Sequence, residues 1–147
     1  IVITSFALFT QNTLRLFWNP QASQQNSTQY EPIPQPPYTE AVQAQLAASK
    51  GFQVLISYTG RGFEPAKVAI PQGDTIRFTN NSHDDLWIAS AGITSYPAGQ
   101  GDCGASAFDS CRVLKLGEFW EFTFARTGTW SYRNNMDKMK VGTVIVQ

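Results

Sequence analysis

The chain has 147 residues, and its 11 basic and 11 acidic side chains leave no net charge, which excludes nucleic acid as a main partner because phosphate recognition needs a basic excess. Hydrophobic residues make up 42% and aromatic residues 13% of the chain, enough for one sizeable core. Domains commonly run to about 100–150 residues, so the expectation is one domain with an appendage.

Residues 1–18, "IVITSFALFTQNTLRLFW", are apolar and then mixed. As a helix they would extend about 27 Å, slightly less than the roughly 30 Å hydrocarbon core of a bilayer. Gln11, Asn12 and Arg15 suit one interface, where Arg15 can snorkel and Trp18 can anchor. The stretch starts without methionine and has no basic leading region, so it does not read as an intact signal peptide. It is expected to be a membrane anchor or a helix buried against partner subunits, with Phe6, Phe9, Arg15 and Trp18 as its contacts. The competing expectation is an amphipathic helix packed on the domain.

Residues 19–37, "NPQASQQNSTQYEPIPQPP", have too little apolar content to fold, and their prolines favour an extended tether. Asn26-Ser27-Thr28 here, and Asn80-Asn81-Ser82 further on, match the short glycosylation sequon. Residues 38–51 predict a short helix, with Thr39 as cap and Gly51 at its end. From Phe52 the pattern changes to short strands: "FQVLISY", "AKVAI", "DTIRFTN", "LWIAS", "FWEFTF", "GTWSY" and "VGTVIVQ". Strands of this length, separated by turn residues over residues 52–147, predict an all-β Greek-key sandwich.

Cys103 and Cys111 share the loop "GDCGASAFDSC". The usual zinc pattern places cysteines two to four apart and needs two further ligands. The spacing and the chain's single histidine favour a disulfide instead. Closing so short a loop stabilises by roughly 2.5 kcal/mol in the chain-entropy model. A disulfide in turn implies a periplasmic or extracellular location.

"GFEPAKVAIPQGDTIRFTN" resembles the opening strands of the cupredoxin (plastocyanin/azurin-like) domain family, and "FDSCRVLKLGEFWEFTFARTGTWSY" followed by "VGTVIVQ" resembles its second half. The likeness spans residues 52–147, and a bacterial subgroup with paired cysteines before "FDxCR" is similar in that loop. The resemblance implies a mononuclear copper site built from two imidazoles and a thiolate, often with a weak axial methionine. It also implies that the ligands come from two loops at one end of the sandwich, one before Trp87 and one after Tyr132. Leu86 stands at the first ligand position, and the second loop offers Arg133 and Asn135 where related sequences have Cys or His. With His83 as the only histidine, a His₂Cys set cannot be assembled from this chain. A site improvised from His83, Met136, Met139 and a free cysteine would suit only Cu(I).

His83, Asp84 and Asp85 look like acid–base chemistry, but a solvated turn accounts for them, and no "GxSxG" elbow accompanies the histidine. The two loops should face each other. An ion pair from Arg133 to Asp84 or Asp85, with Leu86 packed inside, is therefore expected to replace the clamp that copper would provide. Trp120 and Trp130 lie in predicted strands, at least one of them in the core, and Trp87 should help close the former metal end. Lys138, Met139 and Lys140 form either a docking tip or a solvated loop.

Taken together, these readings describe a non-enzymatic, cofactor-free accessory subunit. It would be anchored on the periplasmic or extracellular face of a membrane complex, with hydrophobic partners at its N-terminal helix and a protein partner at the former metal end. A respiratory or photosynthetic electron-transfer complex is the host suggested by analogy. The competing expectations are a copper electron carrier with an atypical site and a secreted module binding a small molecule or glycan.

Overall fold

The computed structural model describes residues 37–147 apart from 94, 99–102, 104 and 105. The expected N-terminal helix with Phe6, Phe9, Arg15 and Trp18, and nearly all of the proline-rich linker, lie outside the described residues. Among the described residues no helix is long and apolar enough to cross a membrane.

Among the described residues the first element is the helix α1 (Glu40–Ala48). The Thr39 hydroxyl accepts a hydrogen bond from the Val42 N–H at 3.3 Å, which satisfies one of the orphan donors of the first turn. Ser49 closes the helix, earlier than the expected stop at Gly51, and Gly51 then turns the chain at φ +94°.

Eight strands follow among the described residues: β1 (Val54–Thr59), β2 (Gly62–Glu64), β3 (Lys67–Ile70), β4 (Thr75–Asn80), β5 (Ile88–Ala91), β6 (Phe119–Thr123), β7 (Gly128–Asn134) and β8 (Val141–Val146). They form two four-stranded sheets, ordered β2-β1-β4-β6 and β3-β8-β7-β5. β1 pairs with β4, and β3 with β8, in parallel; the other neighbours are antiparallel. β2 is the strand the sequence reading lacked, since it is three residues long and sits in what reads as a turn.

Alternation decides which side chains enter the space between the sheets. Ile76, Phe78 and Asn80 point inward from β4, Trp130, Tyr132 and Asn134 from β7, and Val144 and Val146 from β8. Gly142 in β8 lies under the Tyr132 phenol, and a Cβ there would run into the ring. The core is largely aromatic: Phe108 lies 5.0 Å from Phe122, 5.0 Å from Phe124 and 5.5 Å from Tyr132, centroid to centroid.

Phe108 comes from an irregular segment that lies along the outer edge of β5. Ser90 N–H donates to the Phe108 carbonyl and Ser110 N–H to the Ile88 carbonyl, both at 2.9 Å. That pairing covers an exposed sheet edge and places Asp109 beside Trp87.

On the other sheet the Arg77 guanidinium lies 4.1 Å from the ring centres of both Phe52 and Phe119. It pairs with Glu121 at 2.7 Å and donates to the Ser49 hydroxyl at 3.0 Å, tying the segment after α1 to β4 and β6.

Candidate functional site at the two-loop end

Two buried asparagines organise the end where the segment after β4 meets the loop after β7. Asn80, the last residue of β4, is fully buried. Its Nδ2 donates to the carbonyls of Asp84 and Leu114, both at 2.8 Å. Its Oδ1 accepts from the backbone N–H and the hydroxyl of Ser82, both at 2.9 Å. With that side chain consumed, the Asn80 sequon offers no amide for glycosylation.

Asn134, the last residue of β7, is only 1% exposed. Its Oδ1 accepts from Trp87 N–H at 2.9 Å and Met136 N–H at 3.0 Å. Its Nδ2 donates to the Asp85 carbonyl at 2.9 Å and the Tyr58 hydroxyl at 3.0 Å. Each amide therefore has both donors and both acceptor positions in use. Together they grip the backbone of residues 84–87 from two sides. Asn135 adds a backbone bond from its N–H to the Trp87 carbonyl at 2.6 Å.

Between the two asparagines Leu86 is fully buried, packed inside as expected, and exchanges backbone hydrogen bonds with Leu114. The expected ion pair is absent. Among the described residues Asp85 binds Lys115 at 2.6 Å, the Asp84 carboxylate makes no ion pair, and the buried Arg133 Nε has no partner. Strand parity is the reason. Arg133 sits opposite Ala89 and Val141 in the sheet and points away from the interior, whereas Asn134 points in. A neutral amide also crosses this buried gap with less desolvation cost than a guanidinium–carboxylate pair.

The remaining candidates divide by burial. His83 is exposed and belongs to the turn. Trp130 is in the core, while Trp120 packs partly buried against it. Trp87 is partly buried and its indole N–H donates to Asp109 at 2.7 Å. At the tip of the second loop Met136, Met139 and Val141 are exposed, Met139 to 86%. Lys140 folds back to the carbonyls of Gly60 and Arg61, and Lys138 is exposed. The sulfurs of Cys103 and Cys111 are joined in a disulfide.

No family model matches the chain, and no curated protein matches it in sequence. Solved structures do. A purple cupredoxin from Nitrosopumilus maritimus superposes with a TM-score of 0.54 at 23% identity, over 65% of this chain and 100% of that one. The fold is cupredoxin-like. A reduced tryptophan-to-tyrosine mutant of amicyanin gives a TM-score of 0.54 at 19% identity, over 69% of this chain and 88% of that one. An oxidised methionine-to-lysine mutant of amicyanin gives 0.53 at 20% identity with the same coverage, 69% and 88%. At these identities the cupredoxin-like fold is what the chain shares with them.

Proposed function

We propose that the chain is a copper-free, non-enzymatic cupredoxin-like subunit that serves a membrane-associated assembly as a structural accessory. The observation carrying this reading is the Asn134 side chain, which takes the inward position between the two loops and spends its whole hydrogen-bonding capacity on protein groups. The mononuclear copper chemistry implied by the resemblance needs two imidazoles and a thiolate. This chain has one histidine, which is exposed, and two cysteines bonded to each other. The donor set does not fit that metal, and no electron-transfer step is derived through it.

Three features support the accessory role. Residues 1–18 are apolar enough to meet lipid or hydrophobic subunits, and residues 19–37 have the composition of a tether. The disulfide accords with an oxidising, periplasmic or extracellular compartment. The exposed Met136, Met139 and Val141 tip offers an adaptable apolar surface to a protein partner. An electron-transfer complex is the host suggested by the fold's usual company.

Extraction of native membranes with mild detergent tests the reading. Co-purification of the full chain with hydrophobic subunits is expected, together with less than stoichiometric copper by elemental analysis. Release by salt alone as a monomer would sink the anchored-subunit role, and a blue protein with one copper per chain would overturn the metal-free site.

A further inference from the structure

Away from the two-loop end, the ligating atoms of Cys103, Asp109 and Cys111 all lie within 4.8 Å of one another. The sulfurs are bonded, with Cα atoms 5.6 Å apart, and both cysteines are exposed to solvent. The Asp109 carboxylate is held from behind. Its Oδ1 accepts from the Trp87 indole N–H at 2.7 Å and from the Cys111 backbone N–H at 2.8 Å, while Oδ2 accepts no hydrogen bond among the described residues. Two donors on one oxygen, with the other accepting none among the described residues, is how an outer shell orients a carboxylate ligand toward a metal.

We propose that Cys103, Asp109 and Cys111 form a redox-gated site for a zinc-class divalent cation, closed as a disulfide when oxidised and open to metal when reduced. A dithiol reductant opens it. Its two thiols become a disulfide, and the two electrons and two protons they release convert the Cys103–Cys111 bond into two thiols. Zn²⁺ then displaces both thiol protons to solvent and binds two thiolates and Asp109 Oδ2, with water in the fourth position. The metal keeps its oxidation state throughout.

The geometry allows this. Zn–S bonds of about 2.3 Å in a tetrahedron place the sulfurs about 3.8 Å apart, against about 2.0 Å in a disulfide. Side-chain torsions absorb that difference with the backbone in place. Two thiolates and one carboxylate suit Zn²⁺, and the open fourth position is the pattern of sites that keep an exchangeable ligand. The sequence pattern alone argued against zinc because it supplied no further ligand. Asp109 becomes one because it lies two residues from Cys111, to which the disulfide ties Cys103, so that all three ligating atoms gather within 4.8 Å. Occupancy would also be felt at the two-loop end, since Trp87 binds Asp109 through its indole and Asn134 through its backbone.

The test uses the full chain, treated with chelator, reduced with a phosphine under anaerobic conditions and titrated with Co²⁺ as a spectroscopic stand-in for Zn²⁺. One Co²⁺ per chain is expected, with an intense near-ultraviolet sulfur-to-cobalt band that Zn²⁺ abolishes. The oxidised chain should show none. Asp109→Asn should weaken binding about 10-fold or more, and Cys103→Ser with Cys111→Ser should remove it. Equal binding by the oxidised chain, a missing sulfur band, or an Asp109→Asn variant that binds as tightly as the wild type would each overturn the proposal. Loss of near-ultraviolet dichroism on reduction would overturn it too, because the site needs the folded Trp87–Asp109 frame.

Discussion

Replacing Asn134 by alanine should be among the most damaging single changes in the described region. It deletes four hydrogen bonds at once: those from Trp87 N–H and Met136 N–H, and those to the Asp85 carbonyl and the Tyr58 hydroxyl. Met136 is exposed and Asp85 partly so, and water can reach their backbone groups. The Trp87 N–H and the Tyr58 hydroxyl are left in the interior, where an unpartnered group costs about 1–3 kcal/mol. With the void left by the lost amide added, the expected destabilisation is about 3–5 kcal/mol. For a unit of this size that lowers Tm by about 12–20 °C, at about 4 °C per kcal/mol. Urea unfolding followed by tryptophan fluorescence measures it, with Arg133→Ala as the control. The arginine has no ion pair and points away from the interior, so its loss should stay within about 1 kcal/mol. A loss under about 1 kcal/mol for Asn134→Ala, or an equal loss for both variants, would refute the view that the amide is the clamp.

Three further outcomes follow from the packing. Arg77→Met should cost about 3 kcal/mol in urea unfolding, because it strands the largely buried Glu121 carboxylate and removes a guanidinium held between two rings; a neutral result would mean the pair is solvent-compensated. Tyr132→Phe should stabilise by about 1 kcal/mol, since the Tyr132 hydroxyl is buried without a partner among the described residues. Burial also raises the folded-state pKa of this phenol, so the folded chain holds its proton while the unfolded chain ionises near pH 10. On top of that constant offset, the wild type should therefore lose up to about 1.4 kcal/mol per pH unit above pH 10 relative to Tyr132→Phe, a pH dependence absent near neutrality. Parallel unfolding curves for the two proteins at high pH would contradict this. Gly142→Ala forces a Cβ into the Tyr132 ring and should cost about 2–3 kcal/mol by thermal unfolding, whereas an unchanged Tm would show that the ring moves freely.

Much of the fold was legible because period-2 alternation is a local property. "DTIRFTN" and "VGTVIV" announce which faces of β4 and β8 are buried, and Thr39 announces the start of α1. The inward position of Asn134 was legible in principle. Trp130 and Tyr132 already set the parity, and extending the strand two residues past Tyr132 would have sent Arg133 out and Asn134 in. Ending that strand at Tyr132 hid the asparagine and made an ion pair from Arg133 look natural.

Composition and pattern by themselves determined the sandwich, its aromatic core, the balance of basic and acidic charge and the absence of a two-histidine donor set. These depend on residue identity and near-neighbour spacing alone. The tertiary structure decided which groups meet. Lys115 rather than Arg133 reaches Asp85, Asn80 and Asn134 clasp the same stretch of backbone from opposite sheets, and the Trp87 indole bonds the Asp109 carboxylate. Apart from the one from Asn80 to Asp84, those contacts join residues separated by 22 to 49 positions, and their pairing follows from strand register and loop path, which no local pattern encodes.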